Sequence, residues 1–185
     1  AHISFYDKDN NSLNYATNVS GSWIIMTVDS NVGTGENTSI ALNTSGKAHI
    51  SYYDSLNKYL KYATNASGTW ITTTVDSNKD VGDYNSLKVD SAGTVHISYY
   101  DRTNMSLKYA TNASGSLVIT TVDNSGDIGG YTSIALDSSN KVHISYFDET
   151  NSNLMYATNA SGTWVTETVD EYGVKYTSIA IDTSD

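Results

Sequence analysis

The chain has 185 residues, with 10 basic against 20 acidic side chains and a formal charge of −10. The absence of cysteine excludes disulfides, thiolate metal sites and a cysteine nucleophile. The acidic balance argues against nucleic-acid binding, because polyanions are bound by clustered Lys and Arg. The sequence contains no run of about 18 apolar residues, which a membrane-spanning helix would need.

A segment of the form His-Ile-Ser-aromatic-aromatic-Asp occurs four times, beginning at His2, His49, His96 and His143. The starts are 47 residues apart, which defines the units 1–47, 48–94, 95–141 and 142–185. A period of roughly 40–50 residues rich in strand-forming side chains is typical of β-propellers, with one blade for each repeat. We therefore predict an all-β propeller.

Each unit contains four strand patterns, named A to D, separated by turn signals. In the third unit they cover residues 85–89, 95–100, 107–111 and 117–122. Gly and Asn tolerate the left-handed backbone of tight hairpins, so we predict hairpins at two recurring positions. These are Gly46, Gly93 and Asn140 between A and B, and Gly21, Gly68, Gly115 and Gly162 between C and D.

The printed chain starts on a B strand and finishes on an A-type segment, residues 177–181. We expect this segment to pair with the first B strand. That pairing would close four blades of four antiparallel strands into a ring, within a single domain 1–185. A fragment of a larger propeller and an assembly of several chains are the alternatives.

The B–C and D–A loops lie on one predicted face and differ between units, so we expect any binding site there. Aspartates end the strands on the same face: Asp7, Asp54, Asp101 and Asp148 on B, and Asp29, Asp76, Asp123 and Asp170 on D. For each of these we favour bonding to loop N–H groups. Calcium is the one candidate cofactor, with Asp7 and Asp9, and Asp76, Asp80 and Asp83, as candidate ligands.

Tyr84, Tyr131 and Tyr176 occupy one position before strand A, where the first unit has Asn37. Exposed Tyr beside Asn and Asp stacks on sugar rings and bonds their hydroxyls, which makes these four residues the candidate glycan site. The alternative is that the tyrosines pack between blades.

Other repeated side chains favour structural roles. The four histidines lie too far apart in a propeller to share a metal ion, so we expect rings that are packed between blades and hydrogen-bonded. Trp23, Trp70 and Trp164 are replaced by Leu117 in the third unit, which favours packing. Asn18, Asn65, Asn112 and Asn159 begin Asn-x-Ser triplets that either accept glycans or form polar turns.

The C–D turn Thr64-Asn65-Ala66-Ser67-Gly68-Thr69-Trp70 resembles a degenerate Asp-box, the turn found in sialidase-like propellers. Sialidases hold their substrate with three arginines, whereas this chain has only Arg102, so the resemblance implies no catalytic residues. The whole chain resembles the tandem propeller repeats of secreted and surface proteins of bacteria and archaea. That likeness implies an extracellular or cell-surface location.

Three functions follow as hypotheses. The first is a non-catalytic binding or adhesion propeller whose partner is a glycan or a surface protein. The second is a self-assembling structural subunit of a surface layer, sheath or filament. The third, a sialidase-like glycoside hydrolase, is disfavoured because each candidate His, Ser and Asp recurs symmetrically, whereas catalysis needs an asymmetric constellation.

Overall fold

A computed structural model describes residues 1–172 and 175–182. These ranges contain fifteen β-strands, and no helix in them could span a membrane. The strands form four antiparallel sheets arranged as the successive blades of a β-propeller.

The sheets follow the sequence repeat. Blade 1 contains β1 (His2–Asp7), β2 (Ser12–Thr17) and β3 (Ile24–Asp29). Blade 2 contains β4 (Thr34–Leu42), β5 (Ala48–Asp54), β6 (Tyr59–Thr64) and β7 (Ile71–Asp76). Blade 3 contains β8 (Val81–Val89), β9 (Val95–Asp101), β10 (Ser106–Thr111) and β11 (Val118–Asp123). Blade 4 contains β12 (Ile128–Leu136), β13 (Val142–Asp148), β14 (Asn153–Thr158) and β15 (Val165–Asp170).

The predicted turns are confirmed. Gly46, Gly93 and Asn140 have φ values of 71°, 87° and 60°, and the four C–D glycines have φ between 90° and 97°. The innermost strands are longer than predicted: β8 begins at Val81 rather than at residue 85. Two irregularities in its register with β9 explain the difference, because a bulged strand interrupts the alternation that the sequence pattern relies on.

The hydrophobic core lies between blades, not within them. Leu13 and Tyr15 of blade 1 pack against Ile50 and Tyr52 of blade 2, and equivalent clusters join blades 2 and 3 and blades 3 and 4. Full burial of one such side chain stabilises the fold by about 1.5–3 kcal/mol. Each blade therefore depends on its neighbour for stability.

A buried hydrogen bond accompanies each of these interfaces. The second strand of one blade supplies a tyrosine hydroxyl that donates to the aspartate ending the last strand of the preceding blade. The bonds are Tyr52 to Asp29, Tyr99 to Asp76 and Tyr146 to Asp123, each 2.7 Å long. Burial and the adjacent carboxylate raise the pKa of these tyrosines, which keeps the hydroxyls protonated and able to donate.

The predicted ring closure is not formed. Among the described residues, blade 1 has three strands and β1 pairs with β2 alone. Residues 177–181 belong to no strand and instead lie against blade 4, where the amide of Ile179 donates to Ser133 Oγ at 3.4 Å. The analogous contact joins Ile134 to Ser86, so packing on blade 4 holds this segment in the position of the next inner strand, away from β1.

We expect Tyr99→Phe to lower the free energy of unfolding by roughly 1.5–3 kcal/mol, because it leaves a buried carboxylate short of one donor. Asp76 is only 7% exposed. Tyr6→Phe is the control, since its hydroxyl donates to Asn11 at an exposed site. Urea unfolding measures both, and equal losses would contradict a special role for the buried bond.

Candidate functional site

The candidate site lies where the inner strands of successive blades begin. Asn37, Tyr84, Tyr131 and Tyr176 have φ values of 47°, 51°, 53° and 67°. This left-handed region is costly for a bulky residue such as tyrosine, and such strain is concentrated at functional sites. The structure thus gives all four sequence-predicted residues the same unusual backbone.

At three of these four positions, Tyr176 being the exception, a glycine two residues earlier accompanies this geometry. Gly82 has φ of 103°, and a Cβ atom on it would lie 2.6 Å from the Cα atom of Leu60. Gly35 and Gly129 make the equivalent close approaches to Leu13 and Leu107. Only glycine allows the bulged inner strand to lie so close to the third strand of the preceding blade.

The tyrosine side chains form a continuous row. The ring centroids of Tyr84 and Tyr131 are 4.2 Å apart, and those of Tyr131 and Tyr176 are 4.5 Å apart. The row borders a cavity of about 320 Å³, here called the tyrosine pocket. Its lining comprises Asn37, Thr38, Tyr84, Asn85, Tyr131, Thr132, Tyr176 and Thr177.

The residues that follow the tyrosines supply a polar lining that the sequence analysis missed. Asn85 donates from Nδ2 to the carbonyl oxygens of Asn37 and Gly82. Thr132 donates to Ser98, and Thr177 donates to the carbonyl of Tyr131 at 2.8 Å. The sequence does contain a signal for this lining, because in each unit a Thr or Asn directly follows the predicted glycan-binding residue.

Two cations lie beside the row. Arg102 pairs with Asp83 and lies over the ring of Tyr100, which is in ring contact with Tyr84. Lys175 lies 5.8 Å from the centre of the Tyr131 ring. Asp83 also accepts a hydrogen bond of 2.6 Å from Asn37, so a charged network extends from the pocket to the loops of the variable face.

The exposure of the row increases toward Tyr176. Tyr84 and Tyr131 are half-buried, while Tyr176 is 81% exposed. None of the three belongs to the buried clusters between blades. The Tyr84 ring also contacts Tyr100, and the Tyr131 ring also contacts Phe147. Ring surface is therefore most available to a ligand at Tyr176.

The strand-ending aspartates bind loop N–H groups, as favoured from the sequence. Asp7 accepts from the amides of Asp9 and Asn10, and hydrogen bonds from Asn10 lower its pKa. Asp54, Asp101 and Asp148 accept equivalent loop amides. Asp29, Asp76, Asp123 and Asp170 do so on the D strands.

The candidate calcium ligands are not gathered into one cluster. Among residues 1–172 and 175–182, no group of three or more His, Asp or Glu side chains could hold a metal ion. Asp80 instead pairs with Lys58 at 3.2 Å and accepts from Tyr53, while Asp83 pairs with Arg102. Asp76 accepts the Tyr99 hydroxyl. Calcium binding at the candidate ligands stays a prediction.

A cation is also buried at one interface, where Lys61 donates to Asp29 at 2.5 Å. Burial raises the pKa of Asp29, but the hydrogen bonds from Lys61 and Tyr52 outweigh it and hold the pKa below its usual value. The carboxylate therefore stays charged between blades 1 and 2.

Each histidine has the structural partner expected from the sequence. The Nδ1 atoms of His49, His96 and His143 lie 2.5–2.6 Å from the hydroxyls of Tyr62, Tyr109 and Tyr156, and His2 pairs with Tyr15 in the same way. Burial lowers the pKa of His49 and His96. The neutral ring is the form that these two interfaces favour.

Two tryptophans pack between blades, as predicted. Trp70 meets Tyr15 of the preceding blade edge-on at 5.1 Å, and Trp164 meets Tyr109 at 5.2 Å. Leu117 packs against the equivalent cluster. Trp23, on blade 1, is 52% exposed.

The asparagines of the Asn-x-Ser triplets stabilise the C–D turns. Oδ1 of Asn65, Asn112 and Asn159 accepts the amide that starts the neighbouring strand, each at 2.8 Å. Asn18 accepts from the N-terminal amine. Glycosylation at these positions remains a prediction.

No protein-family profile and no curated protein matches this chain. Solved structures resemble its fold. A mutant of the Aleuria aurantia lectin in complex with Fucα1-6GlcNAc matches with a TM-score of 0.62 and 14% identity, over 96% of this chain and 66% of that one. A fucose lectin from Kordia zhangzhouensis in complex with methyl-fucoside has a TM-score of 0.50 and 19% identity, over 72% and 99%.

An exo-β-1,3-galactanase from Phanerochaete chrysosporium has a TM-score of 0.56 and 12% identity, and the match covers 91% of this chain and 47% of that one. At these identities the comparisons show the fold alone. The chain spans 66% of the length of the Aleuria lectin.

The buried histidines make stability depend on pH. The unfolded chain takes up a proton at His49 near pH 6.5, whereas burial resists this in the folded chain. Stability that is present above about pH 6.5 is therefore lost as the pH falls below it. We expect His49→Gln, which cannot titrate, to reduce the slope of unfolding free energy against pH between about 5 and 6.5 by up to one proton.

Chemical denaturation across this pH range measures the slope. His2→Gln is the control, because it replaces the same ring in blade 1, where the site is only half-buried. An unchanged slope in His49→Gln would show that this ring is not held neutral.

Proposed function

We propose that this protein is a non-catalytic carbohydrate-binding propeller and that the tyrosine pocket holds the glycan. The observation that carries the proposal is the row Tyr84, Tyr131 and Tyr176, held in left-handed backbone around a cavity of about 320 Å³. Strained backbone persists only where the surrounding structure enforces it, and it is concentrated at active sites and ligand-binding sites.

The chemistry of the pocket suits a sugar. The aromatic faces provide apolar surface for the C–H face of a pyranose ring, while amides and hydroxyls lie beside them for its hydroxyl groups. Asn37 and Asn85 line the pocket with amides, and Thr132 and Thr177 with hydroxyls. Since Asn85, Thr132 and Thr177 donate their protons within the protein, their oxygen atoms would accept from the hydroxyl groups of the sugar. A neutral or weakly polar glycan fits this lining better than a charged one.

The solved lectins of similar fold support the same proposal. Two of them were solved with fucose-containing ligands, so propellers of this shape do serve as sugar-binding modules. We propose a fucosylated glycan as the first ligand to test. A protein partner that carries such a glycan would be recognised in the same way.

The lining of the pocket favours binding over hydrolysis. Glycoside hydrolases normally place two carboxylates on either side of the scissile bond. The eight described residues around this cavity include no Asp or Glu. We therefore propose a non-catalytic module, located outside the cell or on its surface, as its resemblance to secreted propeller repeats implies.

We expect Tyr176→Ala to weaken glycan binding by roughly 2- to 10-fold, the loss that corresponds to one aromatic contact. Tyr172→Ala is the matched control, because Tyr172 is 86% exposed and lies outside the pocket lining, whereas Tyr176 is 81% exposed and lies within it. An array that includes fucosylated glycans identifies the ligand, and titration calorimetry measures both variants.

The proposal fails if the wild-type chain binds no glycan on the array. It fails equally if both tyrosine variants lose the same affinity. Retained binding in Tyr172→Ala with loss in Tyr176→Ala would place the ligand at the pocket.

A further inference from the structure

The two end blades expose complementary halves of the interface that joins the blades inside the protein. Ile50, Ile97 and Ile144 of the second strands are fully buried, but their equivalent in blade 1, Ile3, is 46% exposed. No inner strand covers β1 among the described residues, and its side chains are mostly half-buried.

Blade 4 offers the strand that blade 1 lacks. Residues 177–181 have the sequence Thr-Ser-Ile-Ala-Ile, close to the Thr-Ser-Ile-Ala-Leu of β4. They pack against blade 4 in the position of the next inner strand after β12: Ser145 donates to Thr177 at 2.9 Å, and the Ile179 amide donates to Ser133. No second strand lies on their other side in the part of the chain that is described.

The tryptophan–tyrosine contact between blades is also split, with its tryptophan on blade 1 and its tyrosine on blade 4. Trp70 and Trp164 each meet a tyrosine in the third strand of the preceding blade, at Tyr15 and Tyr109. Trp23 on blade 1 is the exposed equivalent of these tryptophans. Tyr156 on blade 4 is the equivalent of the tyrosines that receive them.

We propose that the chain binds a second copy of itself head to tail, with residues 177–181 of one copy forming the inner strand beside β1 of the other. The register follows from blade 2, where Ile40 is opposite Ile50 and Ser39 is opposite Ser51. By the repeat, Ile179 of one copy lies opposite Ile3 of the next, and Ser178 lies opposite Ser4.

This contact continues an interface that the chain already forms three times. It buries Ile3 and Trp23, supplies the backbone partners that an unpaired strand edge lacks, and places Asn37 of one copy beside Tyr176 of the other. A head-to-tail contact of this kind produces a ring if the rotation closes and a filament if it does not. In a longer protein a flanking repeat would compete for the same face.

One bond of the internal interfaces is absent from this contact. Phe5 stands where Tyr52, Tyr99 and Tyr146 donate to a strand-ending aspartate, so Asp170 gains no hydroxyl donor from it. We therefore expect the contact to be weaker than those inside the chain, and the assembly to dissociate on dilution.

Sedimentation equilibrium over a range of concentrations tests the assembly. The expected result is a mass of at least twice the 20.0 kDa of one chain, decreasing on dilution. Ile3→Lys should yield a monomer. Val118→Lys should leave the mass unchanged, because Val118 is also 46% exposed but lies on the outer strand of blade 3. Circular dichroism confirms that both variants fold.

Cysteine pairing distinguishes contact between copies from closure within one copy, since the chain has no thiol of its own. A mixture of Ile3→Cys and Ile179→Cys chains should form a disulfide-linked pair under mild oxidation. Each variant alone should form far less. A monomeric wild type, no cross-linked pair in the mixture, or an internal disulfide in a monomeric double variant would each overturn the proposal.

Discussion

The structure depends on hydrophobic contact between neighbouring sheets. No blade has a core of its own: Leu13 and Tyr15 are buried only because Ile50 and Tyr52 of the next blade cover them. Such a sheet cannot remain folded alone, since one of its faces would expose a row of apolar side chains. Repetition solves this problem for the internal blades but not for blade 1, where Ile3 and Trp23 stay exposed.

The aspartates buried at these interfaces gain their hydrogen-bond donors from the same repetition. A tyrosine hydroxyl from one blade reaches the aspartate of the blade before it, and the same aspartate also accepts the amide of its own loop. The acidic face is therefore mostly a set of loop-forming carboxylates. The candidate site differs because its residues share a left-handed backbone, and Gly35, Gly82 and Gly129 permit the bulge that orients Asn37, Tyr84 and Tyr131. The same repeat that stabilises the fold therefore places equivalent side chains side by side, and these form the candidate ligand-binding row.

Several features were predictable because they depend on local sequence. The alternation in residues 95–100, the glycines of the hairpins and the Leu117 substitution at the tryptophan position correctly indicated strands, turns and packing. The grouping of Asn37, Tyr84, Tyr131 and Tyr176 was predictable for a similar reason, since equivalent positions in successive blades must be neighbours. Their left-handed backbone was not, because it depends on how closely Gly82 approaches Leu60 in another blade. The pairing of Lys58 with Asp80 and of Arg102 with Asp83 was not predictable either, because it joins segments that are far apart in the sequence.

The sequence by itself determined the repeat, the order of strands within each blade and the face that carries the variable loops. These follow from side-chain alternation and turn residues, which act over a few residues. Only the tertiary structure decided that the four blades form an open arc with residues 177–181 on blade 4. The angle between neighbouring blades is set by side-chain packing across each interface, and a small change in this angle adds up over successive interfaces. No local pattern in the sequence encodes that sum.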